Sequence, residues 1–287
     1  MRGARTIRRE EAGWPAALDG LREPPLFLRV KGELPSPSER AVAVVGSRAP
    51  DAAGAELARR LGAALARAGA WVISGGAAGI DAAAHRGALE VGGRTVVVLG
   101  GGLDRLYPAA NRPLFARVVE GGGGLVSEVE DHIPPAPFRF LERNRIVAAM
   151  AGATVVVRAG ARSGALVTAA RARELGRTVL AAVDGGPVGC TAGIEELVGL
   201  PGTGATPFRD VDGALRRLGI RRRAGAAPSL AGNEAALWSV LGREPETADR
   251  VARRAGMRPG PALAALTSLE LRGLVEQKPG RGFARRD

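Results

Sequence analysis

Residues 71–81, Trp71-Val72-Ile73-Ser74-Gly75-Gly76-Ala77-Ala78-Gly79-Ile80-Asp81, decide the fold. A short, nearly continuous apolar run passes into a glycine-rich loop, and an alanine-rich stretch carrying His85 follows. That is the grammar of a buried strand feeding a crossover helix. The same alternation recurs on both sides. Val42 to Val45, Arg94 to Leu99, Leu125 to Glu128, Thr154 to Arg158 and Thr178 to Val183 read as further strands, apolar on both faces as parallel strands are. A helix is expected from Ala52 to Ala68, with Asp51 as its N-cap and Gly69 as its stop, and others begin near Gly79, Asn111, Asn144 and Gly164. The expected class is α/β, a doubly wound, mostly parallel sheet over residues 41–218.

Outside that region the pattern changes. Residues 1–40 contain Trp14-Pro15, Pro24-Pro25-Leu26-Phe27-Leu28 and a Pro/Ser stretch at 35–38, and read as an extended lead-in packed on the main domain. After Leu218 a charged, small-residue run centred on Arg221 to Pro228 marks a linker, placed at 219–232. Three short helices at 233–242, 247–255 and 260–272, then Leu274-Val275-Glu276, a turn from Lys278 to Gly282 and Phe283, predict a small C-terminal winged-helix domain over 233–287.

The chain of 287 residues carries a net charge of +12, and its placement matters more than its size. Residues 1–40 hold 8 basic and 6 acidic groups, residues 41–215 hold 18 and 16, and residues 216–287 hold 15 and 7. A basic chain suggests polyanion partners, but the α/β region is nearly neutral, so any binding there needs a local cluster. Arginine-rich coding, with Lys31 and Lys278 the only lysines, explains the total equally well. The single cysteine, Cys190, forbids an internal disulfide and fits a reducing compartment, so a cytoplasmic protein is expected. No run approaches the ~18 apolar residues of a membrane span, and no membrane association is expected.

Four loops converge on the carboxyl edge of the expected sheet, where doubly wound folds bind ligands. Gly46-Ser47-Arg48 offers close backbone approach, a hydroxyl and a guanidinium fork, or a simple strand-to-helix turn. Ser74 to Asp81 opens a helix whose free N–H groups favour an anion, the best phosphate cradle in the chain, though without dinucleotide-binding spacing. Gly100-Gly101-Gly102 brings backbone to the same edge, followed by Tyr107, which either stacks a base or covers the loop. Arg139, Arg143, Asn144 and Arg145 form a cationic cluster at an expected helix start, with Glu142 as a competing partner. Arg162 to Thr168 supplies another small-residue helix N-terminus. Asp81 and His85, four apart, share a helical face and read as a local hydrogen bond ahead of catalytic machinery. There is no P-loop, and two histidines and one cysteine give no metal or nucleophile spacing.

In this order the motifs resemble the DNA-processing protein A (DprA/Smf) family, from Trp14-Pro15 through Gly46-Ser47-Arg48, Ser127-Glu128 and Phe140 to Ile146, to Ser163 to Thr168. The resemblance implies an extended Rossmann-like fold that dimerises, binds single-stranded DNA and loads the RecA recombinase onto incoming strands in natural transformation, without enzymatic activity and without a cofactor. Carried over, the DNA-binding set is Gly46, Ser47, Arg48, Ser74, Gly75, Gly79, Gly100, Gly102, Arg139, Arg143, Asn144, Arg145, Ser163, Gly164 and Thr168, with Arg48, Arg143 and Arg145 on phosphates and the glycine loops as floor. This chain departs from the family at Ala78, where a basic residue is usual, and at Val183-Asp184-Gly185, where Val-Pro-Gly is usual. It also lacks the Asn expected near Gly189 to Ala192, which leaves the 184–206 loop without a family template. The third winged helix carries Arg272 as its only cation, which suits an interaction or regulatory module better than base readout, with Lys278, Arg281, Arg285 and Arg286 on the wing for nonspecific phosphate contact. The competing functions are a nucleotide-processing hydrolase on the same scaffold, whose Pro-Gly-Gly-x-Gly-Thr-x-x-Glu loop is absent, and a winged-helix transcription regulator.

Overall fold

A computed structural model describes residues 3–199, 204–221, 230, 232–242, 244–271, 274–278 and 282–285. The chain divides into two compact units, residues 1–223 and 224–287.

The first unit runs β1 (Arg5–Arg8), β2 (Phe27–Gly32), β3 (Ala41–Val45), α1 (Ala52–Arg67), β4 (Trp71–Ser74), α2 (Ile80–Glu90), β5 (Thr95–Val98), α3 (Arg112–Glu120), β6 (Gly124–Ser127), α4 (Pro137–Ala149), β7 (Ala153–Val156), α5 (Gly164–Glu174), β8 (Thr178–Ala182), α6 (Val188–Gly199), β9 (Ala205–Phe208) and α7 (Val211–Arg217). One nine-stranded sheet has the order β1-β2-β6-β5-β4-β3-β7-β8-β9. Pairing is parallel from β6 through β9, and antiparallel only where β1 meets β2 and β2 meets β6. This is the doubly wound, mostly parallel architecture read from the strand–helix alternation.

The period of two along β3 divides the core. Ala43 and Val45 face one side with Ile146, Val147, Ala165 and Ala169 of α4 and α5, and Val42 and Val44 face the other with Leu57, Leu61 and Leu65 of α1. With helices on both faces, every residue of β3 is buried, which explains its unbroken apolar run. The order reverses at β3: α1 follows it on one face and β7 flanks it on the other side. The crevice above the β3–β7 pair is therefore the switch point of the sheet.

Three features differ from the sequence reading. The lead-in carries two strands that extend the sheet; in β2 apolar Leu28 and Val30 alternate with Arg29 and Lys31, and Arg29 Nε donates to Asp131 at 2.9 Å. That alternation is the mark of a strand solvated on one face. Helix α4 starts at Pro137, not near Asn144, with proline at its first position and no side-chain cap at Ala136. The stretch after Val183 adds α6, β9 and α7, the last capped by Asp210, whose carboxylate accepts from the Gly213 N–H at 2.6 Å.

The second unit runs α8 (Gly232–Val240), α9 (Ala248–Arg254), α10 (Pro259–Leu271), β10 (Val275–Lys278) and β11 (Gly282–Arg285), and β10 pairs antiparallel with β11 as a wing. Its own core joins Leu237, Val251, Leu266, Leu269, Val275 and Phe283. Two of the wing cations are engaged: Lys278 meets Glu276 at 3.1 Å, and the Arg285 guanidinium lies 4.3 Å from the Trp238 ring centre. Arg272, Arg281, Arg286 and most of the linker read at 219–232 lie outside the described residues.

Candidate nucleic-acid interface

Above β3 and β7 lies an open crevice of about 630 Å³. It gathers Gly46, Ser47, Arg48, Gly75, Arg143, Asn144, Ser163, Gly164 and Thr168 from the expected set. Ser74, Gly79, Gly100, Gly102, Arg139 and Arg145 do not line it.

The Gly46–Arg48 turn is held from below. Ser47 N–H donates to the Arg158 carbonyl at 2.7 Å, and a Cβ at Gly46 would come within 2.9 Å of that same carbonyl. The Ser47 hydroxyl accepts the Ala49 N–H at 3.1 Å, leaving its own proton free to donate. Arg48 is exposed, stands 5.4 Å over the Phe140 ring, and has no ion-pair partner among the described residues. Arg162, on the far wall, is also exposed and without such a partner. Sequence reading quoted Arg162 only as the start of a helix motif; its position two residues beyond Gly160, at the same sheet edge, was the signal. Ser163 caps α5 by accepting the Ala165 N–H at 3.3 Å, and Ser163, Gly164 and Ala165 put that eleven-residue helix's positive end on the crevice.

The glycine loop after β4 has another role than the expected cradle. The N–H groups of Gly75 and Ala77 donate to one carboxylate oxygen of Asp81, at 3.1 and 3.3 Å, so those donors are already used. The Asp81 carboxyl is fully enclosed, and burial raises its pKa against the opposing pull of Arg143. The Ser74 hydroxyl donates to the Val44 carbonyl at 2.6 Å and pins β4 to β3. Gly79, at a φ of 80°, allows the backbone to pass over the Ser47 and Arg48 carbonyls.

Arg143 is 5% exposed and lies under this loop, so close that a Cβ at position 75 would displace its guanidinium. Its Nη1 donates to the Val98 carbonyl, and burial pushes its pKa down to about 10. It is a cation beneath the crevice floor and not an extended phosphate arm. Asn144 donates to the Gly164 carbonyl at 3.1 Å, tying α4 to α5. Arg145 faces away and pairs with Glu128 at 2.6 Å. The three positions split because α4 is already helical here: residues at i, i+1 and i+2 point to different faces. Gly100 makes room for Phe140, Gly102 for the backbone at Glu130 and Asp131, and Arg139 donates to the Pro134 carbonyl at 2.9 Å.

His85 turns to Thr95 instead of Asp81. The Thr95 hydroxyl donates to the Val72 carbonyl at 2.6 Å, so the 2.7 Å contact to His85 Nδ1 places the imidazole proton on Nδ1. Burial, with Arg143 and Arg86 adding to it, lowers its pKa from 6.5 to about 3, and the ring is neutral and fully enclosed. Neither geometry nor protonation suits it to proton transfer with a ligand.

Phe140 lines the crevice, and the ring of Tyr107, read from sequence as a base stack or a loop cover, lies 5.5 Å from it and is 50% exposed; Phe138, not singled out in sequence, is 54% exposed. Also missed was Arg158, wholly buried between Asp51, at 2.7 Å from its Nε, and Asp184. Burial alone would lower its pKa, yet the two carboxylates hold it above the ordinary value.

The profile of the DNA recombination-mediator protein A family matches residues 5–218, and that of the DprA winged helix domain matches residues 221–281. This chain belongs to the DNA recombination-mediator protein A (DprA/Smf) family. A putative DNA processing protein DprA of Mycobacterium tuberculosis is 42% identical over 98% of this chain and 77% of its own length. Protein Smf of Escherichia coli is 36% identical over 95% of this chain and 75% of its own. Among solved structures, DNA processing protein A from Streptococcus pneumoniae aligns with a TM-score of 0.67 at 34% identity, covering 74% of this chain and 73% of that one. The Helicobacter pylori protein, described for its unique single-stranded DNA binding mode, aligns at 0.65 and 26% identity over 75% of this chain and 95% of its own.

Proposed function

We propose that this member of the family binds single-stranded DNA in the crevice above β3 and β7, as a recombination accessory protein and not as an enzyme. The observation that carries the reading is that two exposed guanidiniums with no ion-pair partner among the described residues, Arg48 and Arg162, line the same crevice as the N-terminus of α5. Two such cations and a helix dipole, within residues 41–215 that hold 18 basic and 16 acidic groups, make a local phosphate site. Arg48 leans on Phe140, and the exposed Tyr107 ring lies 5.5 Å from Phe140, giving flat surfaces on which bases of any sequence stack. The buried, neutral His85 supports a binding role over a hydrolytic one.

On this reading the bound strand is passed to RecA during natural transformation, in the cytoplasm, by a homodimer, as family membership leads one to expect. No described helix is long and apolar enough to cross a membrane. The test is a competition by fluorescence anisotropy between labelled oligo-dT and unlabelled duplex of equal length, followed by a RecA loading assay. Preference for the single strand and faster RecA assembly on it are expected; preference for one duplex sequence would instead support a transcription regulator.

A further inference from the structure

Below the same strands, at their amino ends, lies a second cavity of about 780 Å³, bounded by Ala41 and Val42 of β3, Ala153 of β7 and Thr178 of β8. It is separated from the crevice by the length of β3, and the two share no lining residue: β3 gives Val45 to one and Ala41 and Val42 to the other.

Four arginines from four different segments line it, Arg5, Arg40, Arg177 and Arg217, against two carboxylates, Glu33 and Glu39. Both carboxylates are occupied: Glu39 by Arg94 and by the Ser36 N–H at 2.8 Å, Glu33 by Arg5 at 3.8 Å. Arg5 and Arg40 also donate to main-chain carbonyls, of Gly32 at 2.6 Å and Gly219 at 3.1 Å. Arg177 and Arg217 have no ion-pair partner among the described residues, and the Nε of Arg177 is buried with no hydrogen-bond acceptor. A buried donor without an acceptor is disfavoured unless something fills the site.

Helices α4, α5 and α7 end near this edge, and their C-terminal carbonyls carry roughly half a negative charge each. Arg177 and Arg217 partly answer those dipoles, but their whole charges, added to those of Arg5 and Arg40, outweigh them. The wall also presents carbon, from Trp14, Leu34, Met150, Leu218 and Ile220. Bare phosphate would leave that wall uncovered, while the volume falls in the range of about 300–1,000 Å³ typical of small-molecule sites.

We propose that this cavity is a second ligand site, taking a small phosphorylated molecule with a flat apolar body, the chemistry of a mononucleotide. Its phosphate meets Arg177 and Arg217, and its base lies against Trp14 and Met150. The proposal does not rest on strand binding in the crevice above.

The test is isothermal titration of the full chain with inorganic phosphate, dAMP and ATP, each with and without saturating oligo-dT. One dAMP or ATP per chain is expected to bind with oligo-dT present, and to bind about tenfold more weakly or worse in the Arg177→Ala/Arg217→Ala variant, as loss of charge-assisted contacts requires. That variant keeps its oligo-dT affinity and its melting temperature; Arg177→Gln alone serves should the double variant fold poorly. Trp14→Phe is expected to remove the fluorescence change on binding. Absence of heat with either nucleotide at millimolar concentration overturns the proposal. So does displacement of the nucleotide by oligo-dT, which would place it in the crevice, and so does phosphate binding as tightly as dAMP.

Discussion

Arg48 and Arg143 look interchangeable in sequence, two arginines in loops facing one sheet edge, yet the structure gives them opposite work. Arg48 is exposed and has no ion-pair partner among the described residues, whereas Arg143 is enclosed beneath Gly75 with its Nη1 on the Val98 carbonyl. Replacing Arg143 by Ala leaves that carbonyl unsatisfied and opens a void, so a loss of about 2–4 kcal/mol in unfolding free energy is expected by urea denaturation. Arg145→Ala breaks only the pair with Glu128, and oligo-dT affinity should stay within about twofold. His85 carries a pH signature of its own. Its pKa is lowered from 6.5 to about 3, so the unfolded chain takes up a proton that the folded chain refuses. Its contribution is fully present above pH 6.5 and is lost as pH falls toward 3, with a slope of up to about 1.4 kcal/mol per pH unit. Urea titrations across that window should show the slope in the parent and a flatter one in His85→Gln; equal slopes would mean the ring is solvated.

Single elements show why the sequence was legible in some places and not in others. Strands β3 to β8 were readable because both faces are covered and the apolar run is unbroken. The two antiparallel strands β1 and β2 interleave cations with apolar residues, a pattern shared by any solvated segment. Helix α4 begins without a side-chain cap, so Asn144 attracted the boundary while Pro137 marked it. The glycine loop after β4 was read as a phosphate cradle because its spacing shows free N–H groups, and only the fold shows Asp81 turning back to take them. The Asp184 departure finds its reason at the same level. The carboxylate at 184 meets the buried Arg158, whose carbonyl in turn holds Ser47. Asp184→Asn keeps the shape but removes half the countercharge of a buried cation, and a fall of several degrees in Tm with weakened oligo-dT binding is expected, measured by calorimetry and anisotropy. Ser163→Ala removes the α5 cap, with a cost of about 1 kcal/mol in urea denaturation.

Across the whole molecule, charge and architecture divide the labour. The excess of basic groups lies in residues 216–287, while the crevice sits in residues 41–215, which hold 18 basic and 16 acidic groups. Binding by a few placed groups makes the salt dependence shallow, since each phosphate contact on a single strand contributes about −0.7 to the slope of log K against log salt. In the second unit, the exposed positions of α10 include Pro259, Gly260, Pro261, Leu263, Ala264 and Thr267, with no Arg, Lys, Asn or Gln among them for bidentate base readout. A chain ending at residue 223 is therefore expected to fold and to keep its preference for oligo-dT over duplex, as seen by circular dichroism and anisotropy; loss of that preference would move the binding site to the winged helix.

The central claim is that a few free groups at the switch point grip the strand, and one titration tests it most directly: oligo-dT affinity of Arg48→Ala at fixed low salt, with the melting temperature measured alongside. A fall of tenfold or more, about 1.4 kcal/mol, at unchanged melting temperature is the predicted result. Affinity equal to the parent's, in a variant equally stable, would contradict it.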